Sequence, residues 1–102
     1  MQITSDTGSK RITDFNLIPV YIKNYLDSVE GGKYLIANPG EFFNKGCNID
    51  GTETSRQLIL ATVNWNSFKM AYWQGGFGVS RYLLTLKLEH GHVISRTVED
   101  LL

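Results

Sequence analysis

Residues 56–74 read Arg-Gln-Leu-Ile-Leu-Ala-Thr-Val-Asn-Trp-Asn-Ser-Phe-Lys-Met-Ala-Tyr-Trp-Gln. Two segments rich in aliphatic and aromatic residues flank a short polar break, the pattern of a β-hairpin. If Asn66-Ser67 forms a two-residue turn, Trp65 opposes Phe68, Val63 opposes Met70 and Ala61 opposes Tyr72, and all of these lie on one apolar face. The other face pairs Asn64 with Lys69, Thr62 with Ala71 and Leu60 with Trp73, a mixed surface. One register thus accounts for both faces, with Val63, Met70 and Tyr72 turned inward.

Downstream, Tyr82, Leu84, Leu86 and Leu88 alternate with Arg81, Thr85, Lys87 and Glu89, which predicts a long strand over 79–89 with one core face. An even loop through Gly75-Gly76-Phe77-Gly78 would set Arg81 beside Tyr72 on that face. An odd loop, or a bulge at one of the glycines, restores Tyr82 and Leu84 to the core. A tight turn at His90-Gly91 leads into a last strand over 92–98. Upstream, Ile18, Ile22, Tyr25, Leu26 and Val29 recur at helical spacing. Pro19 is tolerated in a first turn, so the helix is expected over 17–30 and Gly31-Gly32 ends it. Tyr34-Leu35-Ile36-Ala37 is a possible short strand, and Asn38-Pro39-Gly40-Glu41 favours a type II turn. Residues 44–55 read as a loop.

These elements predict an α+β fold, one N-terminal amphipathic helix packed on a curved antiparallel meander of four or five strands. Residues 1–11 form a flexible arm in this reading and 12–102 a single domain. The expected core comprises Ile22, Leu26, Ile59, Val63, Met70, Tyr82, Leu84 and Leu86.

Composition narrows the function classes. Ten Lys+Arg balance ten Asp+Glu, and the charges alternate instead of clustering. A duplex nucleic acid is held mainly through phosphate neutralisation, so this balance argues against a nucleic-acid partner. A single cysteine, Cys47, leaves no internal disulfide and fits a reducing, cytoplasmic compartment. No apolar run reaches the ~18 residues of a spanning helix, and the opening residues have no signal-peptide core.

The motifs with a chemical reading are incomplete. Gly76-Phe77-Gly78-Val79-Ser80-Arg81-Tyr82 lacks the basic residue and one aromatic of the RNA-recognition signature. Asn48-Ile49-Asp50-Gly51 resembles the centre of a calcium loop, but Gly46 and Gln57 stand where its end carboxylates belong. Cys47, His90 and His92 lack the fourth ligand and the spacing of a structural zinc site. No nucleophile elbow, zincin helix or phosphate loop is present, so neither a catalytic group nor a cofactor is assigned.

The run from Tyr82 to Asp100 resembles the closing hairpin of NTF2-like domains, and a helix gripped by an antiparallel sheet resembles the cystatin arrangement in outline, without its Gln-x-Val-x-Gly loop. The first resemblance implies a ligand-binding or isomerase-type domain with a pocket between helix and sheet, where Tyr72, Tyr82 or His92 supplies a proton or hydrogen bond. The residues themselves point first to a non-enzymatic protein-binding module of the inhibitor, immunity-protein or accessory-subunit type. In the hairpin register Leu58, Leu60 and Trp73 share the face turned away from the helix, where another protein or a second copy of the chain is expected to dock.

Lys45 is the one sequence-local base that can activate Cys47. Replacing Cys47 by Ser is expected to leave folding and binding unchanged, and the native thiol should alkylate no faster at neutral pH than a free cysteine in a reference peptide.

Overall fold

A computed structural model describes residues 9–46, 54–76 and 78–101. The chain begins with the edge strand β1 (Lys10–Ile12), a 3-10 turn (Phe15–Leu17) and the helix α1 (Val20–Glu30). The antiparallel strands β2 (Arg56–Val63), β3 (Ser67–Gly76), β4 (Gly78–Glu89) and β5 (His92–Asp100) follow. The sheet runs β1-β2-β3-β4-β5 in space, an open meander with α1 packed against one face. The α+β architecture therefore agrees with the expected one.

The helix starts at Val20, later than the periodicity suggests, because Ile18 precedes Pro19. The proline ring disfavours helical geometry at the residue before it, and Ile18 is extended, with φ −69° and ψ 138°. Pro19 then stands as the N-cap, and Asp14 caps the preceding 3-10 turn by accepting from Asn16 N at 2.9 Å. At the other end Gly31 adopts φ +75°, and the Gly32 amide donates to Asp27 O at 3.1 Å, closing the helix as Gly31-Gly32 implied.

The β2–β3 connection differs from the expected two-residue turn. Val63 opposes Phe68 and the Asn64 amide donates to Ser67 O at 2.9 Å, so the turn centres on Trp65-Asn66, one residue earlier than expected. The Asn64 carboxamide oxygen accepts from Asn66 N at 3.0 Å and Ser67 N at 2.8 Å, which holds the turn in this position. Trp65 consequently sits at the loop tip, 87% exposed, instead of pairing inward with Phe68. The slip is two residues, so Phe68, Met70 and Tyr72 still face the helix and Lys69 still faces away.

A β-bulge between Leu58 and Leu60 has the larger effect. Ile59 is the additional residue, and the alternation inverts beyond it. Leu58 opposes Tyr72 in the core, whereas Leu60 opposes Ala71 on the outer face. Ile59, expected in the core, is only partly buried.

The β3–β4 connection is odd, as the alternation required, for Gly76 opposes Gly78 and Tyr72 opposes Tyr82. Gly78 takes φ +108°, a conformation that favours glycine. His90 and Gly91, at φ +51° and +75°, make the tight β4–β5 turn. Lys10 and Arg11, assigned by sequence to a free arm, belong to β1: Ile12 enters the core and its neighbours pair with Thr62 and Val63. Residues 34–37 form no separate strand, but Ala37 bridges to Gln57 alongside β2. The Glu41 amide donates to Asn38 O at 3.0 Å, and Gly40 at φ +83° completes the anticipated turn.

Ile12, Ile18, Ile22, Leu26, Leu58, Phe68, Met70, Leu84 and Leu86 fill the space between helix and sheet, and Val63 and Tyr82 pack against them from the periphery. Phe68 is the largest fully buried side chain among the described residues. Phe68→Ala should lower the unfolding free energy by about 3–5 kcal/mol, a large share of the ~5–15 kcal/mol of an ordinary domain, as read by chemical denaturation.

Candidate interaction face

The outer sheet face is built from alternate residues of the central strands. Trp73 of β3 lies between its cross-strand partners Gln57 of β2 and Arg81 of β4, and Ala71 lies between Leu60 and Leu83. The Arg81 guanidinium stands 5.4 Å from the Trp73 ring centroid. This is a cation–π contact on a partly exposed sheet face. Arg81 Nε is buried and has no hydrogen-bond partner among the described residues. A buried guanidinium N–H without an acceptor costs free energy, and the planar guanidinium is the side chain best suited to pairing with carboxylates.

One end of this face is covered by the chain itself. The Gln57 side-chain amide donates to Glu41 O at 2.7 Å, and Phe43 is buried. The backbone at Asn44 approaches β3 so closely that a Cβ at Gly75 would come within 2.1 Å of Asn44 O. Glycine is required there to admit the 41–46 segment. Phe42, in the same segment, projects outward at 82% exposure and borders a surface recess of about 670 Å³ with Lys45 and Gln57. At the opposite end of the sheet, Trp65 and Ile94 flank a shallow groove of about 620 Å³ floored by Lys69, Thr85 and Lys87.

The residues singled out from sequence are therefore divided. Leu60 and Trp73 lie on the outer face as expected, diagonal to each other instead of directly paired. Leu58 does not join them; it is 1% exposed inside the core, because the bulge turns it inward. Tyr72 and Tyr82 meet on the helix side with ring centroids 5.8 Å apart. His92 is remote from them, opposite Glu89 at the far end of β4. Cys47 and the Asn48–Gly51 motif lie outside the described residues. Among the described residues no group of His, Cys, Asp or Glu is arranged to hold a metal ion, and no helix is long and apolar enough to cross a membrane.

Two groupings were missed in the sequence. The alternation of β4 places Arg81 outward, and the observed register, with Gly76 opposite Gly78, sets it against Trp73. The second grouping surrounds Tyr34. Arg56 lies over its ring at 4.3 Å, pairs with Glu30 at the end of α1, and donates from Nε to Gln74 Oε1 at 3.1 Å. The Tyr34 amide donates to Asp27 Oδ1 at 2.7 Å, and its ring stacks on Phe15 at 6.0 Å. Sequence separation hides this cluster: Glu30 and Arg56 meet only because the bulge turns Arg56 toward the helix.

No protein-family model, curated protein or solved structure matches the chain.

Burial pushes the Tyr34 hydroxyl well above its ordinary pKa of 10.0, with the nearby Arg56 charge opposing the shift, and burial raises Tyr72 in the same direction. Above that ordinary value the unfolded chain loses phenolic protons that the native state retains. Stability is thus full below pH 10 and falls as pH rises beyond it. Tyr34→Phe should reduce this alkaline slope, measured as unfolding free energy against pH, relative to the parent.

Proposed function

We propose that the chain is a small non-enzymatic protein-binding module of the inhibitor, immunity-protein or accessory-subunit type, acting through the outer face around Trp73, Arg81 and Leu60. One observation carries this reading: Trp73 and Arg81 are stacked on an accessible sheet face, and Arg81 Nε lacks an acceptor among the described residues. Trp and Arg are the residue types that most often dominate binding energy at interfaces. The guanidinium is anchored over the indole, so little side-chain freedom remains to be lost when an acceptor docks. Leu60 and Leu83, partly exposed on either side of the buried Ala71, add apolar surface beside the stack. The partner chemistry that suits this face is a protein surface carrying an acidic or carbonyl-rich rim around an apolar contact.

The absence of disulfide pairing from a chain with one cysteine fits work in the cytoplasm. The core between helix and sheet is occupied by Ile22, Leu26, Phe68 and Met70, which favours a binding surface over a ligand pocket.

The test is capture from extracts of the native host with the parent and with two variants, followed by affinity measurement on the protein recovered. Trp73→Ala should weaken that complex by ~2 kcal/mol or more with the far-ultraviolet spectrum unchanged. Arg81→Met, which keeps the stem over the indole but removes the donor, should weaken it through a faster off-rate. Equal binding by the parent and both variants excludes this face.

A further inference from the structure

The two edges of the sheet are finished differently. Along β2 the outer edge is occupied twice: β1 pairs with residues 61–63, and Ala37 bridges lower down, accepting from Leu58 N at 2.8 Å and donating to Arg56 O at 2.9 Å. β1 itself is only three residues long and carries Lys10 and Arg11, a short, charged end that resists further pairing. β5 is nine residues long, holds neither Pro nor Lys, and pairs among the described residues with β4 alone. Every β5 residue apart from Val93 is exposed, including the apolar Ile94 and Val98.

The charges on β5 select what can pair with it. Opposite Leu86, Leu84 and Tyr82, the side chains of Arg96, Val98 and Asp100 share the helix-side face. Two copies of β5 running antiparallel about a two-fold axis normal to the sheet set like faces together, so residues of equal parity oppose one another. Centring that axis on Arg96 juxtaposes two guanidinium groups, and centring it on Thr97 sets Asp100 against Ile94. With the axis at Val98, Arg96 of each copy opposes Asp100 of the other, the valines meet in the middle, and Thr97 opposes Glu99 on the outer face. The residues that obstruct an arbitrary strand are complementary to themselves in this one register.

The helix extends the same surface. Glu30 reaches Arg56 and Asp27 reaches the Tyr34 amide, so that flank of α1 faces the β2 side. Tyr21 and Tyr25, one turn apart on the opposite flank, face the β5 side, where α1 approaches the sheet most closely. Tyr21 is exposed, and Tyr25 packs partly on the core.

We propose that β5 is a self-association edge: two copies of this chain join β5 to β5 about Val98, forming one continuous ten-stranded sheet with the Tyr21 flanks beside the junction. Because the two-fold is normal to the sheet, both outer faces lie on the same side of the assembly and present two Trp73–Arg81 stacks together. The inference is independent of what binds those stacks.

Sedimentation equilibrium of the full chain tests it. The parent should approach twice the 11.5 kDa chain mass with rising concentration. Arg96→Asp, which creates two like-charge contacts, should weaken self-association by at least about tenfold with an unchanged melting curve. Asp100→Arg in the same molecule should restore it, and Val98→Lys should abolish it. A parent that stays monomeric up to about 1 mM, the weak limit of specific binding, overturns the proposal. So does a dimer indifferent to Arg96→Asp, or a double variant that fails to recover, and Trp73→Ala should leave the dimer intact.

Discussion

The bulge at Leu58–Leu60 is the constraint on which the arrangement depends. Strand side chains alternate between faces, so one additional residue inverts everything beyond it. Here the inversion delivers Leu58 to the core, Arg56 to the helix side and Gln57 to the outer side. Arg56 then meets Glu30, Tyr34 and Gln74, tying the C-terminal end of α1 to the sheet. Gln57 holds Glu41 and so brings the 41–46 segment across Gly75. Without the bulge both long side chains exchange faces, and the helix end and the covering segment lose their attachments together.

The same inversion separates two kinds of electrostatics. On the helix side Arg56 is fully engaged by a carboxylate, an amide oxygen and an aromatic face, which is how a partly buried guanidinium is normally satisfied. On the outer side Arg81 is held by an indole, while its Nε has no acceptor among the described residues. Two arginines on one sheet thus differ in consequence: one is satisfied by the fold, and the other keeps a buried N–H without an acceptor among the described residues.

Most of the architecture was legible because the decisive signals were periodic. Tyr82, Leu84 and Leu86 alternate without ambiguity, and that alternation required the odd connection at the glycines. Where periodicity was silent, the reading failed. Leu58, Ile59 and Leu60 are all apolar, so nothing in their order shows which of them is the bulged residue. Asn64 and Asn66 are both good turn formers, and apolar pairing favoured a turn at Asn66-Ser67 while the Asn64 carboxamide holds one at Trp65-Asn66. The periodicity of α1 ran past its true start because Ile18 is apolar and buried while being extended. For the candidate face, Trp73 and Leu60 were recoverable from parity alone. The Arg81 contact needed the β3–β4 register in addition, and the loss of Leu58 needed the bulge.

The meander order also sets the sequence of events by which the chain reaches this state. Each of β2, β3, β4 and β5 pairs with its neighbour in the chain through a short connection, so these contacts close small loops and form early. β1 and the helix belong to the other class. Lys10 must find Val63, and α1 must reach β5. These long closures gain little until the sheet exists as a template, because the entropy of the intervening chain is lost before their contacts are made. Until α1 arrives, the face bearing Phe68, Met70 and Leu86 is open to water. During synthesis α1 precedes β2–β5, so the helix has no sheet to pack on until those strands have followed it.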